Sequence, residues 1–105
     1  MTDIVWTSPA FRSIEKLPEK IAFGIVRQTD FLRRHPEMGS PMAIRSRSLH
    51  LYRQIVHRRR FRVVYRYDER EICVYICAVQ DCRRKLPTAL ELKKAERNDD
   101  LSIDK

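Results

Sequence analysis

Residues 49–67, LHLYRQIVHRRRFRVVYRY, leave this chain little choice of local structure. Two runs rich in β-branched and aromatic residues flank Arg58-Arg59, and both keep a period of two. That is the pattern of two strands joined by a tight basic turn. In the second strand Phe61, Val63, Tyr65 and Tyr67 fall on one face, and Arg60, Arg62, Val64 and Arg66 on the other. The first face suits burial. The second carries a row of guanidinium groups that folding alone does not require. In the first strand Arg53 shares a face with Leu51 and Ile55. A turn centred on Arg58-Arg59 sets Ile55 opposite Arg62 and Arg53 opposite Val64, so Arg53 and Arg62 become diagonal neighbours on one face. Like charges so placed cost stability, and a fold that tolerates such a cost often has a ligand that offsets it.

The distribution of charge points the same way. Residues 38–67 contain no Asp or Glu but eight arginines: Arg45, Arg47, Arg53, Arg58, Arg59, Arg60, Arg62 and Arg66. Setting those eight aside leaves 14 of the 22 Lys and Arg against 14 Asp and Glu, so the whole net charge of +8 sits in one contiguous stretch. A clustered surplus is the electrostatic footprint of a polyanion binder. Arg45, Arg47, Arg58, Arg59, Arg60 and Arg66, with Arg83 and Lys85 downstream, are the candidate nucleic-acid contacts. Solubility or an acidic protein partner accounts for the same charge.

A chain of 105 residues, 43% hydrophobic and 34% charged, makes one domain with a modest core, here residues 1–97, followed by a polar tail at 98–105. Cys73, Cys77 and Cys82 are odd in number and match no zinc spacing, so they read as small buried hydrophobes in a reducing compartment. No apolar run approaches the length of a membrane span, and the N-terminus has no basic region leading into an apolar one. A soluble cytoplasmic protein without metal, cofactor or membrane partner is expected.

Residues 4–7 form a short apolar strand. Ser8 then serves as N-cap and Pro9 as first helical residue of a helix to about Leu17, with Ala10, Ile14 and Leu17 inward. Pro18 ends that helix and opens a second, running to about Arg34, with Ile21, Ala22, Ile25, Thr29 and Leu32 as its apolar stripe. Residues 35–41 hold two prolines and a glycine and read as loop, and 42–48 show no clear period. After the basic hairpin and a turn at 68–71, residues 72–79 are apolar on both faces and read as a central strand. Thr88 and Glu91 have capping-box spacing, which predicts a terminal helix at 89–97. The order is β-α-α-β-β-β-(α): an α+β domain, with a mainly antiparallel sheet and a helical hairpin packed on one face.

The sequence contains no metalloprotease, nucleophile-elbow or phosphate-loop motif. His35, His50 and His57 are scattered, and only His57 borders the arginine face. Tyr52 and Tyr65 read as packing residues with a polar tip. An arginine cluster binds phosphates bidentately and can stabilise the charge that develops when RNA is cut by its own 2′-hydroxyl. Cleavage also needs a proton acceptor and donor, for which His57 and Asp81 are the available groups.

The element order, the opening Val5-Trp6-Thr7-Ser8-Pro9-Ala10, the His35-Pro36-Glu37-Met38-Gly39 loop and the Phe61-Arg62-Val63-Val64-Tyr65-Arg66 strand together resemble the RelE/ParE superfamily of bacterial toxins, over roughly residues 4–84. These are the toxin halves of type II toxin–antitoxin modules. The resemblance implies a cognate antitoxin as partner, for which the helical residues Ile21, Ile25 and Leu32 and the arginine face are candidate surfaces. It also implies one of two targets. RelE-like members cut mRNA in the ribosomal A site; ParE-like members poison DNA gyrase. Carried over residue by residue, the basic positions of a RelE-like site fall on Arg53, Arg62 and either Arg83 or Arg84, with Arg84 the choice here. A second basic position falls on Ile55, and the C-terminal Tyr or His falls near Pro87 or Thr88, so both are missing. The resemblance thus supplies the electrostatic half of a nuclease site without its proton-transfer half. On charge placement the expected function is a ribosome-dependent mRNA endonuclease, with a gyrase inhibitor or a non-toxic basic binding module as alternatives.

Overall fold

The computed structural model describes residues 1–46 and 49–103, with side chains described through Arg97. Arg47 and the last two residues of the expected tail lie outside the described residues. The elements are β1 (Asp3–Trp6), α1 (Ser8–Glu15), α2 (Glu19–Asp30) continued by a 3-10 turn (Phe31–Arg33), β2 (Ser40–Arg45), β3 (Leu51–His57), β4 (Phe61–Asp68), β5 (Cys73–Asp81) and α3 (Ala89–Ile103). They form a five-stranded sheet of order β1-β5-β4-β3-β2, in which only β1 and β5 run parallel. The α+β class and the helical hairpin are as expected.

Four local expectations are corrected. The N-cap of α1 is Thr7, not Ser8. The Thr7 hydroxyl accepts from the Ala10 amide at 3.4 Å and donates to the Ile76 carbonyl at 2.8 Å, so one buried side chain both starts the helix and ties it to β5. The helix stops at Glu15, because the residue before Pro18 is disfavoured in α geometry; Leu17 still packs on the core. Residues 40–45, expected to be loop with a ragged strand start at most, form the edge strand β2. Its pairing with β3 is irregular between Pro41 and Arg45, which erases the period a regular strand would show. α3 runs on to Ile103, beyond the expected end at Arg97.

The largest correction concerns register. The connection between β3 and β4 spans Arg58, Arg59 and Arg60, not two residues. Arg58 and Arg59 take φ values of 51° and 58°, and the Arg60 amide returns to the His57 carbonyl at 3.0 Å. His57 then pairs with Phe61, Ile55 with Val63 and Arg53 with Tyr65. A slip of one residue exchanges the faces of a whole strand. The observed register puts Ile55 beside Val63 and Phe61 in one core, where the other would set Ile55 against Arg62. Arg53 and Arg62 therefore lie on opposite faces.

The sheet is buried on both sides. Under the helical hairpin lie Ala10, Ile25, Leu32, Ile55, Phe61, Val63, Tyr65, Val74, Ile76 and Val79. Under α3 lie Met42, Tyr52, Val64, Cys77 and Leu92. Val64 pairs with Ala78 and Tyr65 with Ile76, so Cys77 is the extra residue of a bulge and turns towards α3. Gly39 lets the loop at 35–39 close on the sheet: a Cβ there would sit 2.7 Å from the Gln54 carbonyl oxygen. No described helix is long and apolar enough to cross a membrane.

Candidate functional site

Arg62 keeps its expected place on the face opposite the helical hairpin. Its Nε donates to Gln54 Oε1 at 2.8 Å and its Nη1 to Gln80 Oε1 at 2.9 Å. Gln80 lies directly across in β5, and Gln54 reaches over from β3. Two neutral amides aim the guanidinium, and among the described residues no carboxylate pairs with it. The sequence carries this only as two glutamines on strands, and only the register shows that they converge.

Arg53 does different work. Its Nη1 donates to the carbonyls of Glu37 and Gly39 at 3.1 and 2.9 Å, and its Nη2 meets the Glu37 carboxylate at 3.4 Å. Tyr65 joins the same clamp, donating to the Pro36 carbonyl at 2.8 Å and accepting from the Gly39 amide at 2.9 Å. Burial pushes the Tyr65 phenol up, which keeps it a neutral donor. This group fastens the 35–39 loop to the helical-hairpin face of the sheet, away from Arg62.

The two expected proton carriers are also accounted for. His57 packs against α2: its Nδ1 lies 2.7 Å from Gln28 Oε1, and its buried Nε2 has no hydrogen-bond partner among the described residues and would touch a Cβ at Gly24. Burial, then the Arg58 charge, push its pKa down, so the imidazole is held neutral on the hairpin side. The carboxyl of Asp81 is pulled down to about 2, first by the side-chain bonds of Arg83. It stays ionised at neutral pH and has no proton to give.

Arg66, expected as a nucleic-acid contact, is committed internally. Its Nη2 donates to Glu96 of α3 at 2.7 Å, its Nη1 lies 3.4 Å from Asp68, and its guanidinium stacks 4.7 Å from the Tyr75 ring. The Tyr52 hydroxyl donates to the same Glu96 carboxylate at 3.4 Å. Arg45 is exposed on the edge strand β2, while Arg58, Arg59, Arg60, Arg83, Arg84 and Lys85 are all exposed around the end of the β4–β5 pair. Arg84 and Lys85 border an open cleft of about 710 Å³ that runs past Gln80 to Pro9 of α1 and to Glu91 and Leu92 of α3. Thus the basic turn is brought up to the segment after β5, and Arg62 holds Gln80, which lines the cleft that Arg84 borders, while Arg53, His57 and Arg66 are engaged elsewhere.

Of the three candidate antitoxin residues, two are fully buried. Ile25 and Leu32 are 0% exposed and belong to the protein's own core, and Ile21 packs against it. The apolar stripe of α2 is occupied by the sheet. The other side of the hairpin shows Phe23 and Phe31, each 63% exposed, with Val26 between them and Arg27 over the Phe23 ring at 5.9 Å. Among the described residues no three His, Cys, Asp or Glu side chains cluster as metal ligands.

Comparison with known proteins adds the lineage. The family model described as the ParE toxin of the type II toxin–antitoxin system parDE matches residues 4–86, ending before α3. The fold matches the intact Escherichia coli RelBE toxin–antitoxin complex at a TM-score of 0.67 and 14% identity, over 80% of this chain and 100% of that one. The isolated E. coli RelE toxin matches at 0.64 and 15% identity, over 92% and 98%. The RelBE2 toxin–antitoxin complex of Mycobacterium tuberculosis matches at 0.58 and 25% identity, over 79% and 93%. No curated protein matches the sequence significantly.

Proposed function

The chain belongs to the ParE toxin family and is the toxin of a type II toxin–antitoxin system, and from that premise we propose that it arrests growth by binding DNA gyrase in the cytoplasm, without chemistry of its own. One observation carries the choice over RNA cleavage: Arg53 and Arg62, the two strand arginines a nuclease would use together, lie on opposite faces of the sheet. Supporting it, Asp81 is held ionised by Arg83 and His57 is packed neutral against α2. Binding needs none of these groups to move a proton. The antitoxin covers the outer side of α2, where Phe23, Val26 and Phe31 offer an apolar stripe among cations. That assignment replaces Ile25 and Leu32.

A ribosome-dependent nuclease is the second reading. The guanidinium of Arg62, aimed by Gln54 and Gln80, favours it, since a fixed cation is what a transferring phosphate requires. Pulse-labelling of DNA and protein synthesis after induction of this chain alone separates the two. The gyrase reading expects DNA synthesis to fall first with a DNA-damage response, and purified toxin to block gyrase supercoiling. Prompt loss of amino-acid incorporation with intact DNA synthesis, abolished by Arg62→Ala, would establish the nuclease instead.

A further inference from the structure

The basic turn and the segment after β5 form one surface that their separation in the sequence hides. Phe61 at the start of β4 pairs with Asp81 at the end of β5, and the Cys82 amide donates to the Arg60 carbonyl at 2.8 Å just beyond. Arg58-Arg59-Arg60 and Arg83-Arg84-Lys85 thereby become neighbours, and all six side chains are exposed. Arg59, Arg60, Asp81 and Arg83 line a common hollow. Asp81 bridges its cations, 3.1 Å from Arg83 and 3.7 Å from Arg60, and cancels one charge of the six.

The backbone supplies an independent observation. Arg58 and Arg59 both sit in the left-handed region, at φ 51° and 58°. Asn and Gly adopt that conformation with little strain, and a hairpin selected for stability alone takes Asn-Gly there. Strain of this kind persists where the side chains serve a purpose. The neighbouring aromatic, Phe61, is buried beneath Arg60, whose guanidinium lies 5.2 Å from the ring. The patch therefore presents charge without a stacking platform from Phe61. That suits the phosphates of a duplex better than the unstacked bases of a single strand.

We propose that this six-cation patch grips the backbone phosphates of double-stranded DNA, so that the toxin holds the DNA in the gyrase complex as well as the enzyme. The choice of DNA rests on the gyrase reading; the patch rests on the geometry above. The test titrates the full chain, without gyrase, against a labelled DNA duplex of about 20 base pairs between about 50 and 200 mM KCl. With roughly five phosphates neutralised, the log–log salt slope is about −4.5, a loss of about 500-fold in affinity across that range. Arg58→Asn/Arg59→Gly reduces the slope by about two while the melting temperature holds or rises. Arg84→Ser/Lys85→Ser does the same by about two without touching the turn. Lys16→Ser/Lys20→Ser removes equal charge from the helical hairpin and leaves the slope as it was.

An unchanged slope in both patch variants overturns the proposal, as does an equal loss in the hairpin variant or tighter binding to an RNA duplex of the same length. Gyrase supercoiling is assayed separately. A patch variant that has lost DNA binding yet inhibits gyrase fully overturns the role of the patch and leaves the gyrase reading standing. Wild-type toxin that binds DNA with the stated slope but leaves gyrase untouched overturns the gyrase reading alone.

Discussion

Arg53 and Arg62 carry the same side chain and behave differently because of what surrounds them. Arg53 satisfies two backbone carbonyls and a carboxylate, so Arg53→Met should cost about 2 kcal/mol of stability in urea unfolding, the scale of hydrogen bonds made by a charged donor. Variants that remain folded should keep their growth-arrest activity. Among the described residues Arg62 bonds two partly exposed glutamine amides, which can turn to water once it is gone, so Arg62→Met should cost less, about 1 kcal/mol. His57 gives a pH dependence whose sign follows from its lowered pKa. The unfolded chain binds a proton at this residue near pH 6.5, the folded chain only at lower pH. Its neutral packing therefore contributes fully above about pH 6.5 and is lost as the pH falls from there through the folded value. Melting temperature should decline over that window, and His57→Phe should flatten the decline. Persistence of the full decline in that variant would assign it to other groups. Neither role was readable from the residues alone, since an arginine on a strand and a histidine before a turn look alike whether they face solvent or a helix.

At the scale of elements, α3 is held by a small apolar face and an ionic clamp. Leu92 fills the core, and Glu96 closes on Arg66 and Tyr52. Glu96→Gln leaves Arg66 with Asp68 as its carboxylate partner among the described residues and should destabilise the protein by about 2 kcal/mol, seen in urea unfolding and in faster amide exchange along α3. α2 shows the opposite case. Phe23→Ser/Phe31→Ser removes mostly exposed rings, so stability should change little while affinity for the cognate antitoxin falls at least tenfold by calorimetry. An unchanged affinity would place the antitoxin elsewhere. The helical hairpin and the hairpin of β3 and β4 were legible because each is marked by local chemistry: Pro9 and Pro18 at helix starts, and alternation in the strands. β2 was not. It lies at the sheet edge with a proline and a broken register, and pairing there depends on β3 rather than on its own pattern.

The whole molecule is an electrically lopsided object, with its surplus of positive charge collected around one hairpin and the end of its neighbour strand. Association with a partner of opposite charge should accordingly be steered, its on-rate dropping about tenfold or more between low and high salt while the off-rate changes little. Stopped-flow measurements would reveal this, and a salt-independent on-rate would contradict it. The sequence by itself determined the class of fold, the basic hairpin, the two-sided burial of β5 and the excess charge, because period, turn residues and composition are local properties of the chain. Tertiary structure alone decided which arginines work together. A period of two says which residues share a face within one strand, but the face each strand offers its neighbour depends on how many residues the turn consumes. Here Arg60 joins the turn, the register slips by one, and Arg53 passes to the far side of the sheet. The same pairing, carried past Phe61 and Asp81, draws Arg58, Arg59 and Arg60 up to Arg83, Arg84 and Lys85, a proximity that only folding creates.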